Sequence, residues 1–556
     1  MSFRFAPAAA RAFAVLTAAL LTVTSVAPAV ASDPTAGPAS GSEAAPAEEV
    51  EALERPTVHG EMLAAHEGDV IDLPAGPTPT VALAGPSATG AGSEGAVFVA
   101  DGSVAGLPNG LRREVFGYLP YWSLNSTALA SLDYSLVSTI AYFGVAAYSD
   151  GTLARTAQGT PTAGWTGWTS SHMTNVTNSA HARGVKVVLT VTMMVWNGDY
   201  SGMTAFLGSP SARANLISEI AGTLQDRNAD GINLDFEPVP TSLRSQYTSF
   251  VREVKSGLTA AGVGSFLTVA TMAGAATWST GYDVVGLSAS GAADALMVMS
   301  YDYSWSGSAR AGGVAPIDSP YIFDVRQALT DHLAIVPPGK LIWGVPYYGR
   351  GWTTQSELQN AYACKTVELC PAAAAAAIGM SWAPTYATAL GLAGQHGRLW
   401  DATGQVPWYR YFDGGLNTWK QVYYDDGASL GAKYALVEGN GLRGIGIWAL
   451  LMDAGRPELW NQIDTYFQGA WFEDILGSQF LEDILWLANA GITTGCGNEL
   501  FCPNAFVTRG QMAAFLVRAL NPPSTATDYF TDDEASPFEA DINRLAASGI
   551  TGGCAA

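Results

Sequence analysis

A chain of 556 residues is too long for one ordinary core, and a formal net charge of −22 makes nucleic acid and anionic lipid poor partners. Charged residues are only 14 % of the composition, while Gly, Trp and Tyr are plentiful at 61, 16 and 22 residues. An uncharged partner such as carbohydrate tolerates an acidic surface, and flat aromatic faces stack on sugar rings, although most aromatics in any protein serve the core.

In chain order, Arg4 and Arg11 flank the start of an apolar stretch from Ala12 to about Val26, and Ala29-Val30-Ala31 forms a small-x-small site before Ser32. This pattern predicts a cleaved signal peptide over residues 1–31 and a secreted product. A membrane anchor is the alternative, but the stretch is shorter than the ~20 residues a helical span requires. No other segment is long and apolar enough, so no membrane span is expected after signal removal. Residues 32–110 are rich in Ala, Gly, Pro, Ser and Glu without a strong period. They read as a low-complexity linker with a short structured piece around Val70 to Leu73.

From Val115 the texture changes. β-branched and aromatic runs recur at Val115–Trp122, Leu136–Tyr148, Val185–Val191, Gly231–Glu237, Phe266–Met272, Ala295–Tyr303, Leu341–Tyr348 and Gly444–Leu450. Amphipathic stretches such as Ser211–Gln225 and Ser242–Ala261 lie between them. Alternating strands and helices imply a parallel sheet, and eight such units predict an α/β TIM (β/α)8 barrel over residues 111–468. A doubly wound open sheet is the alternative, but no G-x-G-x-x-G follows the first strand. The gap before the eighth strand is too long for one helix, so a small α+β insertion is expected at about 351–440.

Residues 469–556 hold an internal repeat that predicts a small, mainly α module. Phe472-Glu-Asp-Ile and Asp483 through Cys496 recur as Phe530-Thr-Asp-Asp and Asp541 through Cys554, and the second copy stops just after its cysteine. Thr508 and Gln511 form a capping box for an apolar helix in the first copy. The five cysteines suit an oxidising compartment. Cys364 with Cys370 and Cys496 with Cys502 are expected to pair, leaving Cys554 free. A zinc site is disfavoured, since no histidine lies near these pairs and the spacings are not C-x-x-C.

The chemistry concentrates in Asp230-Gly-Ile-Asn-Leu-Asp-Phe-Glu237. Along a strand side chains alternate, so Asn233, Asp235 and Glu237 share one face and Ile232, Leu234 and Phe236 the other. In a barrel the polar face points inward, and Glu237, last and followed by Pro238, lies nearest the C-terminal opening where catalytic groups sit. Buried polar groups without partners are costly, so these three must bond to each other or to a substrate. A purely structural polar network is the competing reading.

This segment resembles the D-G-x-D-x-D-x-E signature of glycoside hydrolase family 18, which includes chitinases. It matches at Asp230, Gly231, Asp235 and Glu237 and departs at Asn233. The resemblance extends to Met299-Ser-Tyr-Asp302, to Gly344-Val-Pro-Tyr-Tyr-Gly-Arg350 and to Gly446-Ile-Trp448, and spans roughly Val115 to Phe467. It implies substrate-assisted retaining hydrolysis beside an N-acetylated sugar, with no metal or cofactor. By resemblance Glu237 is the general acid, Asp235 accepts a hydrogen bond from the acetamido N–H, and Tyr301 donates to its carbonyl. Trp448 floors the sugar, and Met299, Asp302, Tyr348, Arg350 and Tyr118 belong to the substrate-binding set. Asn233 is expected to hydrogen-bond Asp235 as a neutral partner. The Asn variant is similar to that of spore-cortex and cell-wall N-acetylglucosaminidases, which favours peptidoglycan over chitin. A carbohydrate-binding barrel without catalysis is the rival from another class; such proteins usually lose the acid, which Glu237 retains. The C-terminal repeat resembles the S-layer homology module, which implies attachment to a cell-wall polymer; a dimerising or structural tail is the alternative.

Overall fold

The computed structural model describes residues 56–79, 104–469, 472–475, 478, 480–497 and 500–554. The signal peptide over 1–31, and the parts of the expected linker at 32–55 and 80–103, lie outside the described residues.

A short helix, α1 (Val58–Ala65), opens the described chain. The barrel follows: β1 (Glu114–Pro120), β2 (Thr139–Ala146), β3 (Lys186–Met194), β4 (Gly231–Glu237), β5 (Phe266–Met272), β6 (Ala295–Met299) and β7 (Leu341–Pro346). Past β7 an insertion contributes β8 (Arg350–Thr354), β9 (Ser381–Trp382), β10 (Leu399–Asp401), β11 (Val406–Asp413) and β12 (Thr418–Tyr423). The last barrel strand is β13 (Gly444–Trp448). The closed order is β1-β13-β7-β6-β5-β4-β3-β2, and the neighbouring pairs run parallel. All eight predicted barrel strands are present.

Strands covered on both faces carry near-continuous apolar runs, which is why β3 reads Lys-Val-Val-Leu-Thr-Val-Thr-Met-Met with little alternation. On β4, Phe236 faces outward and stacks with Phe250 of the helical layer. That layer includes α2 (Ser171–His181), α3 (Pro210–Arg227), α4 (Arg244–Ala261) and α5 (Val325–Leu333). α3 starts at Ser209, whose side chain accepts from the Ala212 N–H, has Pro210 in its first turn, and ends at Asn228 in the left-handed region. Gly231 sits where a Cβ would lie 1.8 Å from the Phe266 carbonyl oxygen, so only glycine lets β4 approach β5 there.

The inserted strands form an antiparallel sheet ordered β9-β8-β12-β11-β10. Its core packs Trp352, Trp408 and Tyr423, and the Cys364–Cys370 disulfide lies within the insertion. The inserted sheet ends at Tyr423, and α6 (Gly427–Gly439) then returns the chain to β13.

Residues 469–556 fall in a unit separate from the barrel. Here α7 (Leu481–Asn489) and α9 (Glu539–Ala547) are the equivalent helices of the two repeat copies. α8 (Arg509–Leu520) carries the predicted Thr508–Gln511 capping box. Ala513 and Val517 of α8 pack against Leu545 of α9. Cys496 and Cys502 are bonded and Cys554 is free, as the spacing predicts. Among the described residues no helix is long and apolar enough to cross a membrane.

One segment differs sharply from the sequence reading. Residues 56–79 fall inside the expected linker, yet they carry α1 and run on through bonds to the barrel wall. Ser171 N donates to the Pro74 carbonyl (2.8 Å), Gly76 N to Thr169 (2.9 Å) and Thr174 Oγ1 to Pro77 (2.7 Å). The expected structured piece at Val70 to Leu73 has no regular secondary structure, and Val70 is 91 % exposed. Order in this segment comes from contacts with the barrel rather than from its own pattern.

Candidate active site

The alternation along β4 places Asn233, Asp235 and Glu237 on the barrel's inner face, all fully buried. Their depth decides their partners. Asn233, the deepest, does not meet Asp235 as expected. Its amide donates to Tyr118 Oη (3.1 Å) and its carbonyl accepts from Thr268 Oγ1 (2.8 Å). The reason is register: Asn233 is directly opposite Thr268 on β5, whereas two residues of one strand are separated by a full pleat.

Asp235 and Glu237 converge with Tyr301, Asp302 and Trp448 from the ends of β6 and β13. Gly344 on β7 makes room for this, since a Cβ there would lie 2.8 Å from the Tyr301 ring. Asp302 accepts from Tyr348 Oη (2.6 Å), and Arg350 Nη2 lies 3.5 Å from it. Tyr118 packs edge-on to Trp448 at a centroid distance of 5.2 Å. Met299 ends β6, almost wholly buried. The structure therefore brings every sequence-predicted residue to one end of the barrel. Tyr348 and Arg350 act on Asp302, and Asn233 on Tyr118.

The residue at the centre was not foreseen. His59, from α1, is buried in the space these groups enclose. Its ring stacks on Trp448 at 3.7 Å between centroids and 28° between planes. Nδ1 lies 2.9 Å from Asp235 Oδ2 and 3.3 Å from Glu237 Oε1, and Nε2 lies 2.7 Å from Tyr301 Oη. Thr57 Oγ1 donates to Glu237 Oε2 (2.6 Å) and Val58 N donates to Asp302 Oδ2 (2.6 Å). Glu61 pairs with Arg350 (2.6 Å) and accepts from Ser306 Oγ (2.7 Å). The only local signal in the sequence is Thr57 as a helix N-cap, accepting from Gly60 N, in a stretch otherwise poor in features.

The electrostatics follow from burial and charge. Burial alone would lower the His59 pKa, but the charge and hydrogen bond of Asp235, joined by Glu237, outweigh it and raise the ring to about 9. Burial and the Asp235 charge push the Glu237 carboxyl up to about 8, against the pull of His59. At neutral pH the ring is an imidazolium donating from both nitrogens, and Glu237 holds a proton it can transfer. His59, Asp235 and Glu237 bring ligand-type atoms within 4.8 Å of one another, the one such grouping among the described residues. His59 Nδ1 and Thr57 Oγ1 engage Asp235 Oδ2 and Glu237 Oε2, while Asp235 Oδ1 and Glu237 Oε1 make no hydrogen bond.

Beside this centre opens a cleft of about 620 Å³. Its walls include Trp278, Trp305 and Tyr321, together with Tyr301, Asp302 and Thr57 of the N-terminal segment. Flat aromatic walls leading to a buried acid suit a chain of sugar rings.

The model described as Glycosyl hydrolases family 18 matches residues 114–453, and that of the S-layer homology domain matches residues 472–513. A di-N-acetylchitobiase of Homo sapiens is 29 % identical over 287 residues, covering 48 % of this chain and 68 % of that one. A cortical fragment-lytic enzyme of Bacillus subtilis (strain 168) is 25 % identical over 262 residues, covering 47 % and 55 %. The chain spans about half the length of some of these curated relatives. The crystal structure of an Ostrinia furnacalis Group IV chitinase in complex with allosamidin superimposes with a TM-score of 0.53 at 20 % identity, over 64 % of this chain and 98 % of that one. That likeness concerns the fold alone.

Proposed function

Because this chain belongs to glycosyl hydrolases family 18, we propose that it cleaves β-1,4 bonds next to N-acetylglucosamine by substrate-assisted retaining catalysis. The observation that carries this reading is the convergence of Asp235, Glu237, Tyr301 and Trp448 around one ring-sized space.

In this mechanism the sugar rests on Trp448. Its acetamido carbonyl oxygen attacks the anomeric carbon, and the glycosidic bond breaks with its electron pair going to the leaving oxygen. Glu237, still protonated near neutral pH because of its raised pKa, gives its proton to that oxygen. Asp235 accepts from the acetamido N–H, and Tyr301 donates to the acetamido oxygen, so the positive oxazolinium-like intermediate forms in line. Water then attacks the same carbon, the bond to the acetamido oxygen breaks with its electron pair returning to the acetamido group, and the Glu237 carboxylate takes the water's proton. Asn233 is neutral and committed to Tyr118 and Thr268. It therefore offers Asp235 no carboxyl partner with which to share a proton.

Bacterial peptidoglycan is the favoured substrate. Asn233 in the motif supports it, and so does the match of residues 472–513 to the S-layer homology domain, whose role here is attachment of an exported enzyme to cell-wall polymer. The relative that acts as a cortical fragment-lytic enzyme supports the same choice. The aromatic-walled cleft favours chitin as the second reading. Digestion of both polymers at equal enzyme, with product masses, tests the choice. Peptidoglycan fragments with reducing N-acetylglucosamine ends are expected, with slower release from chitin oligomers. Muramic-acid reducing ends, or fast chitin hydrolysis with intact peptidoglycan, would refute it.

A further inference from the structure

We propose that residues 56–79 are a built-in competitive inhibitor, with α1 occupying the place of the sugar whose bond is cut. The proposal rests on the hydrolase reading above for the identity of what is displaced. Its structural basis is independent of the polymer.

Each group assigned to the reaction is engaged by this one segment. His59 lies flat on Trp448 where a sugar ring would rest, and Nδ1 gives Asp235 the hydrogen bond that an acetamido N–H would give. The Thr57 hydroxyl meets Glu237 Oε2, the position of a leaving glycosidic oxygen. Nε2 occupies Tyr301. The ring is planar and, against the Asp235 carboxylate, cationic, which are the two features of the intermediate that the site is built to hold. Around this centre the fit continues. Gly60 passes so close to Trp196 that a Cβ would lie 2.3 Å from its Nε1. Glu61 binds Arg350, and His66 stacks on Trp122 at 4.4 Å. A linker with no role at the site has no reason to bury a histidine against three polar catalytic groups, since such burial is costly unless every partner matches.

Sugar and α1 exclude each other sterically, so turnover requires the segment to leave. Thr57 lines the aromatic cleft, so a polymer that fills the cleft meets the segment and displaces it by mass action. The docked segment then raises KM and leaves kcat unchanged, because a released site is the same site.

The test compares the full-length chain with His59→Ala, which removes the ring, and Gly60→Leu, which forces the helix away from Trp196 and touches no reacting group. Two readouts are taken. The first is labelling of Glu237 by a water-soluble carbodiimide and an amine, read by peptide mass, which needs no sugar. The second is release of a fluorophore from a tri-N-acetylglucosaminide. Labelling should be about tenfold or more faster in both variants, and KM lower by a similar factor at equal kcat. Glu237 labelled as fast in the parent as in both variants would overturn the inhibitor proposal, as would an unchanged KM in two active variants. Labelling that behaves as expected, with no form hydrolysing the sugar, would keep the segment's role and remove the hydrolase reading.

Discussion

Replacing Glu237 by glutamine separates its chemical role from its structural one. Glu237 is wholly buried and holds its proton up to about pH 8, so at pH 7 the site contains a neutral acid. Glutamine matches its size and charge state there, and its carbonyl can accept the Thr57 bond now made by Oε2. Folding at pH 7 should therefore change by less than ~1 kcal/mol, the scale of one ordinary hydrogen bond. Catalysis should not survive so well, because an amide cannot deliver a proton. General acid–base contributions of about 100- to 10,000-fold correspond to ~2.7–5.5 kcal/mol of transition-state stabilisation. The measurement is kcat/KM on a fluorogenic tri-N-acetylglucosaminide, made in the His59→Ala background so that release of α1 does not mask the chemistry. Thermal melts across pH give the second half of the argument. A carboxyl raised from 4.5 to about 8 contributes stability that is full below 4.5 and is lost as pH climbs to 8. The glutamine variant lacks that loss, so its melting temperature should gain on the parent across this window and then run level. Turnover within about tenfold of the parent would refute the assignment of the acid.

Asp235→Asn should drop the His59 pKa from about 9, since burial would then meet one carboxyl instead of two; NMR titration of the ring showing no fall would refute the ion pair. His59 faces Asp235, Glu237, Tyr301, Tyr118, Phe143 and Trp448. Its raised pKa means that docking of α1 is strongest below pH 6.5 and weakens as pH rises through about 9, so protection factors of amides 58–65 should fall over that range relative to those of β4. Trp448→Ala removes a fully buried ring and should destabilise the barrel by ~3–5 kcal/mol in a denaturant titration, with KM raised as well. Cys364→Ser with Cys370→Ser opens a short loop whose closure is worth ~2 kcal/mol in the chain-entropy account, read as a lower unfolding midpoint at unchanged catalytic pH profile.

The amino-acid sequence by itself determined the barrel, because each strand and helix announces itself by local period and each of the β4, β6, β7 and β13 motifs sits at a fixed place on its own element. Alternation along Asn233, Asp235 and Glu237 was enough to place three polar groups on one inner face. Short spacing was enough to pair Cys364 with Cys370 and Cys496 with Cys502, since each bridge spans only six positions. Partners set across the barrel were not legible in this way. Asn233 chooses Tyr118 and Thr268 because strand register, fixed by the closure of the whole barrel, puts them opposite. The contacts of residues 56–79 lie further still from local pattern: His59 reaches Asp235 across 176 positions and Tyr301 across 242. A stretch of Ala, Gly, Pro and Glu with a single eight-residue helix has too little apolar surface to order itself. Only the folded barrel, with its buried carboxylates needing donors and its tryptophan floor needing a ring, supplies the free energy that holds that segment in place.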